Sequence, residues 1–213
     1  MAALATREYW DARYELDKLP FDWYCRFTTS DAYKNLVLAL IKKEHTILIV
    51  GAGTSRLPEE LIEADYNQLC GLDYSAVAVA QLKARKLPGL KVIEADATDM
   101  SQQLDDESFD AVIDKATFDS ILCGEGGSER AERFLSEVAR VLKPGGIFSL
   151  LSNAPPEQRL ATYFEKDAYG WACKADAVAK PGGEKRADAA LATVEGGGKA
   201  FHHFTMVKRG EAL

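Results

Sequence analysis

An apolar run at 46–50 ends in Gly51, Ala52 and Gly53, and a second short apolar run at 68–72 ends in Asp73. Glycines after a strand let the backbone approach a ligand closely, and a carboxylate about 20 residues further on accepts hydrogen bonds from a ribose diol. Arg56 stands where a dinucleotide fingerprint carries its third glycine. A ligand without a pyrophosphate does not need that glycine. S-adenosylmethionine is the commonest such ligand, so methyl transfer is the chemistry these residues imply.

Two further strand ends bring candidates to the same place. Asp96 follows a run at 90–94, and Asp114 with Lys115 follows one at 109–113. Ligands of open α/β sheets bind outside the carboxyl ends of the strands, where the strand order reverses. Any one of these aspartates alone could be a turn residue or a helix cap; together their spacings suit one site. Gly51 and Gly53 would leave room for a methionine portion, Asp73 would take the ribose hydroxyls and Tyr74 would lie along the adenine. Asp96 and the Ala97 backbone would read the adenine amino group. A sulfonium is a fixed cation, which aromatic faces favour by roughly 0.5–2 kcal/mol.

The elements that must position these residues alternate between strand and helix, which implies a parallel sheet covered on both faces. A helix over 8–16 carries Tyr9, Trp10, Arg13 and Tyr14, and the stretch 20–24 breaks it. A second helix from Ser30 or Asp31 to Ile41 is capped by Ser30 and turns Leu36, Val37 and Leu40 inward. Helices follow at 57–64, with Pro58 in the first turn, at 75–86, capped by Ser75, and at 128–142, where Phe134, Leu135, Val138, Val141 and Leu142 recur at three and four residues. Lys143, Pro144, Gly145 and Gly146 stop that helix before a strand at 147–152. A short helix at 157–164, strands at 171–178 and 200–207, and a Gly- and Ala-rich hairpin loop at 181–198 complete the reading.

The chain has 213 residues, enough for one domain with a sizeable core. Its net charge is −7, and the nearest approach to a basic cluster, Lys83, Arg85 and Lys86, is expected on a solvated helix face. Phosphate contact dominates nucleic-acid affinity, so a nucleic-acid partner is not expected; a basic protein suits the acidic surface better. No run reaches the roughly 20 apolar residues that span a bilayer, and no membrane partner is expected. The first six residues resemble neither a signal nor a transit peptide, so the expected location is cytoplasmic. Cys25, Cys70, Cys123 and Cys173 lie far apart and read as reduced thiols, and His202 and His203, being adjacent, would point to opposite sides of a strand, so no metal site is expected.

These motifs resemble the class I, seven-strand methyltransferases, which share the G-x-G, the ribose aspartate and the L-K-P-G-G turn seen here at 142–146. Within them, Tyr9-Trp-Asp-Ala-Arg-Tyr14 followed by Phe21-Asp-Trp-Tyr24, then Leu72-Asp-Tyr-Ser75, then the run from Phe109 to Asp119 are similar to the lysine methyltransferase group acting on elongation factor 1A and its citrate synthase relative. The similarity covers most of 8–173 and resumes at Phe201-His-His-Phe-Thr-Met206. It implies an α/β, Rossmann-like, doubly wound and mostly parallel seven-stranded sheet with an antiparallel C-terminal strand, in a single domain. Residues 1–45 would form a helical lid, 46–152 the cofactor-binding core and 153–213 a substrate-side region.

The same resemblance implies that Trp10, Tyr14 and Trp23 fold over the cofactor, with Lys115 beside it. Two positions depart from the family: Ala116 replaces a usual Gly, and Ala52 a frequent Cys. The implied function is S-adenosylmethionine-dependent lysine N-methylation of elongation factor 1A or a similar cytosolic protein, by a monomer. Methyl transfer needs alignment and a deprotonated amine, and Asp114 and Asp119 are expected to border the opening and orient the incoming lysine. A small-molecule methyltransferase and a cofactor-binding domain without catalysis are the alternatives.

Overall fold

The computed structural model describes residue 4 and residues 6–17, 19–180 and 200–210. The expected hairpin loop at 181–198 lies outside the described residues, as do parts of the expected lid and C-terminal region.

Alternation within the first strand sets up both layers of the molecule. In β1 (Ile47–Val50), Leu48 and Val50 point into one core cluster while Ile47 and Ile49 point into another. Successive strand residues face opposite sides, so a strand apolar on both faces belongs in the middle of a covered sheet. β2 (Leu69–Asp73), β3 (Leu90–Glu94), β4 (Phe109–Lys115), β5 (Leu142–Ser152), β6 (Trp171–Ala179) and β7 (Ala200–Lys208) complete a seven-stranded sheet in the order β3-β2-β1-β4-β5-β7-β6. All pairings are parallel except those of β7, which runs antiparallel to β5 and to β6. The order reverses between β1 and β4, which pair directly and open a crevice at their carboxyl ends.

One face is covered by α6 (Gly127–Val141), whose Phe134, Leu135, Val138 and Val141 are fully buried, as the three- and four-residue spacing predicts. The other carries α2 (Asp31–Leu40), capped by Ser30, and α3 (Leu57–Glu63), with Pro58 in its first turn. Tyr33 and Val37 are the buried residues of α2, whereas Leu36 and Leu40, expected inward, are half-buried. Each large apolar side chain taken from water contributes roughly 1.5–3 kcal/mol. α1 (Arg7–Leu16) and α4 (Ala76–Ala84), capped by Ser75, pack together at the β2–β3 side of the crevice. No described helix is long and apolar enough to cross a membrane.

Two other expectations are corrected, and one element was not foreseen. Leu142 leaves the helix and pairs with Phe109, so β5 begins before Pro144 and absorbs Lys143 to Gly146 through a register shift. Residues 157–164 form a 3-10 turn at Pro156–Gln158 and a π-turn at Leu160–Phe164 rather than one regular helix. A five-residue helix, α5 (Thr117–Ile121), follows β4 directly; it is too short to leave a periodic signal.

Candidate cofactor site

β1 runs out into Gly51 and Gly53 with φ of +57° and +50°. L side chains rarely adopt that region, and the space is filled as well: a Cβ on Gly51 would collide with Thr117, and one on Gly53 would lie 2.5 Å from the Tyr14 hydroxyl. At these two positions only backbone can face a ligand. Asp73 ends the neighbouring strand, 6% exposed, and holds the loop in shape. Its Oδ2 accepts the Gly53 N–H at 2.8 Å and its Oδ1 the Ser75 N–H at 2.9 Å. Each carboxylate oxygen keeps a second lone pair for a hydroxyl. Burial pushes this carboxyl up to about 6, against the pull of the N–H donors from Ser75 and Gly53.

These residues line one cavity, with about 1000 Å³ of empty space including its open mouth. Asp73, Tyr74, Asp96 and Ala97 stand on its wall; Asp96 is exposed and braced by the Thr98 N–H and hydroxyl at 2.8 Å. Burial, with Asp73 and Asp96 nearby, raises the Tyr74 hydroxyl above its ordinary value. Trp10, Tyr14 and Trp23 supply aromatic faces to the same cavity, joined by Phe21. Trp10 stacks on Tyr14 at 5.7 Å, meets Trp23 edge-on at 5.7 Å and donates its Nε1–H to the Leu4 carbonyl at 2.8 Å. All ten residues read from the sequence as cofactor-binding thus converge on one space. The cradle fits an adenosyl sulfonium: bare backbone at β1, a carboxylate with spare acceptor capacity at β2 and aromatic surface for a cation.

Two residues hold this arrangement, Arg85, expected on a solvated helix face, and Asp22, for which the sequence named no role. Arg85 is not on a solvated face: it donates to the Ser55 carbonyl at 2.8 Å and the Thr54 carbonyl at 2.6 Å, closing the glycine loop from below. Asp22, in the strap 20–27, accepts from the Ser55 hydroxyl, from the Arg56 N–H at 3.2 Å and from the Lys115 ammonium. Lys115 also donates to the Cys25 carbonyl at 3.0 Å. Asp22 was readable as part of an aromatic-flanked motif, but nothing local names a partner 93 residues away.

Asp114 and Asp119 are not on the cavity wall, and the expectation that they border its opening is corrected. Asp114 is 0% exposed; its two oxygens accept the Thr117 and Phe118 N–H groups at 2.8 and 2.9 Å and so cap α5. Burial pushes it up to about 8 despite those donors. Ala116, between cap and helix, sits at φ +80°, which accounts for the glycine usual there. Asp119 is a buried hub. It accepts from the Tyr24 hydroxyl at 2.6 Å, the Ser152 hydroxyl at 2.8 Å, the Asn153 N–H at 2.9 Å and Arg159 at 3.0 Å. It thereby joins the strap, α5 and the segment after β5. All four cysteines are thiols, and His203 is buried against the Ser149 hydroxyl at 2.8 Å while His202 is half-buried.

A family profile described as "Methyltransferase domain" matches residues 48–150. EEF1A lysine methyltransferase 4 of Bos taurus is 31% identical over 179 residues, covering 78% of this chain and 68% of its own. The mitochondrial citrate synthase-lysine N-methyltransferase of Homo sapiens is 32% identical over 195 residues, covering 80% and 79%. Among solved structures, the [4+2]-cyclase SpnF superposes with a TM-score of 0.67 at 17% identity over 99% of this chain and 98% of its own. At that identity the likeness is one of fold alone, and the cyclase shows that the fold hosts more than one chemistry.

Proposed function

From the premise that this chain belongs to the class I S-adenosylmethionine-dependent methyltransferases, in the group that holds the two lysine methyltransferases just described, we propose that it methylates a lysine of elongation factor 1A or a similar basic cytosolic protein. The observation that carries this reading is one cavity formed from the glycine loop, Asp73, Asp96 and the aromatic residues of the N-terminal segment, in a chain whose relatives are named for lysine methylation. A cytoplasmic location and a monomeric enzyme are part of the same proposal.

When bound, the cofactor supplies a methyl group already activated by its sulfonium. The chain's task is then alignment and exclusion of water. Asp73 takes the ribose hydroxyls, Tyr74 lies along the adenine, and Asp96 with the Ala97 backbone reads the adenine amino group. Gly51 and Gly53 face the methionine portion with backbone, and Lys115 flanks it. Trp10, Tyr14 and Trp23 act as a lid within residues 1–45. Asp114 and Asp119 position rather than touch: one fixes α5, the other ties Tyr24 and Arg159 to the segment after β5. The acceptor amine, with an ordinary pKa of about 10.4, gives up its proton more readily once it leaves water for an aromatic channel.

Transfer of radiolabelled methyl groups from the cofactor to purified elongation factor 1A, to citrate synthase and to whole extract tests the proposal. Label released as methyl-lysine from elongation factor 1A is the expected result. Label confined to citrate synthase would move the substrate, label only in small molecules would remove the protein acceptor, and binding without any transfer would leave a docking domain.

A further inference from the structure

Lys115 places a fixed cation in the wall of the cavity that receives a cationic cofactor. Two like charges in one partly dehydrated space repel, and for unit charges roughly 10 Å apart at an effective dielectric of about 20 the repulsion changes a binding constant by about tenfold. The structure cancels the wall charge locally. The side chains of Lys115 and Asp22 are 5% and 6% exposed and form a direct ion pair. Burial alone would raise the Asp22 carboxyl; the Lys115 ammonium and the Ser55 and Arg56 donors outweigh it and hold the group below its ordinary value, so it is anionic at neutral pH. Buried ion pairs contribute little net stability, because desolvation offsets their attraction. A buried pair with Lys115 on the ligand-binding wall and Asp22 behind it therefore asks for a reason in the ligand.

That reason lies in the difference between the two forms of the cofactor. S-adenosylmethionine carries a positive sulfonium. Once the methyl carbon has bonded to the acceptor nitrogen and the sulfur has kept the electron pair, S-adenosylhomocysteine carries an uncharged thioether. The carboxylate in direct contact with Lys115 is Asp22, whereas Asp73 bonds the Gly53 and Ser75 N–H groups. We propose that Asp22 is the positioning residue which, by neutralising Lys115, sets the cavity's preference for the sulfonium cofactor over its thioether product. The inference rests on the cofactor, not on the identity of the protein substrate.

Calorimetric titration of the full chain with each of the two compounds tests it. Asp22→Asn keeps the size and the acceptor oxygen but removes the charge; its affinity for S-adenosylmethionine should fall about tenfold more than that for S-adenosylhomocysteine. Lys115→Met should shift the preference in the opposite direction, and the double variant should return the ratio to that of the unmodified chain. A purely structural clasp would weaken both compounds equally and gain nothing from the second substitution. Equal changes in the two affinities for Asp22→Asn, or a double variant whose ratio stays with the single one, overturn the inference. Failure of the unmodified chain to bind either compound would instead overturn the cofactor site itself.

Discussion

Burial pushes the Asp73 carboxyl from 3.8 to about 6, and two opposite pH dependences follow from that one shift. Between these values the folded chain holds a proton that the unfolded chain has lost. This group's contribution to stability is therefore fully present below about 4 and is lost as pH rises through about 6. Ligand binding runs the other way, because the ionised carboxylate is the better acceptor for ribose hydroxyls. Cofactor affinity should fall about tenfold from pH 7 to 5, and Asp73→Asn should weaken binding by about tenfold to a hundredfold and flatten that profile. A pH dependence that survives in Asp73→Asn would assign it to another group. Ala116, at φ +80°, holds a strained conformation that its methyl group does not need. Ala116→Gly should stabilise the chain by about 1 kcal/mol, read as a higher urea midpoint at unchanged slope. A lower midpoint would mean that packing of the methyl outweighs the strain.

At the scale of elements, the N-terminal segment is tied to the core along two seams. α1 is held through the Ser75 hydroxyl on Asp11 at 2.5 Å and Gln81 on the Tyr14 carbonyl at 2.7 Å. The strap is held through Asp22 and through Arg26 and Thr28, which bond Glu60 at 2.6 and 2.7 Å. The strap also buries Tyr24, Cys25 and Phe27 in the core. The α1 seam buries Leu4, Trp10 and Tyr14 against Ala78, a much smaller apolar cluster than the one beneath α6, so opening of α1 should cost much less than global unfolding. If the segment is the lid, amide exchange in Arg7–Leu16 and in 20–27 should slow when S-adenosylmethionine is added, with no change in Gly127–Val141. Equal slowing in both regions would point to general stabilisation rather than closure. α5 shows a second element-scale device: Asp114 caps it, and the Thr117 hydroxyl bonds the Val50 carbonyl at 3.1 Å, so the ends of β1 and β4 move as one body.

For the whole molecule, the net charge of −7 bears on the proposed basic substrate. Long-range attraction is screened by salt, whereas contacts inside the cavity are not. Raising salt from about 0.05 to 0.2 M should therefore raise the KM for the protein substrate several-fold while cofactor affinity stays constant. Parallel loss of both would argue against charge steering. Much of this architecture was legible in the sequence because its signals are local. Apolar runs ending in Gly51 or Asp73 mark strand ends, Ser30 and Ser75 mark helix starts, and the spacing from Phe134 to Val141 marks a buried face. A glycine forced to positive φ or a serine cap acts within a few residues, so its meaning survives without the fold. Tertiary structure alone decided the rest. It sent Asp114 to cap a helix too short to leave a period, turned Arg85 inward onto the glycine loop, extended β5 back through Gly145 and Pro144, and paired Asp22 with Lys115. Each of these depends on groups distant in the chain being brought within hydrogen-bonding range, and a charge or a donor carries no local mark of the partner that packing will bring to it.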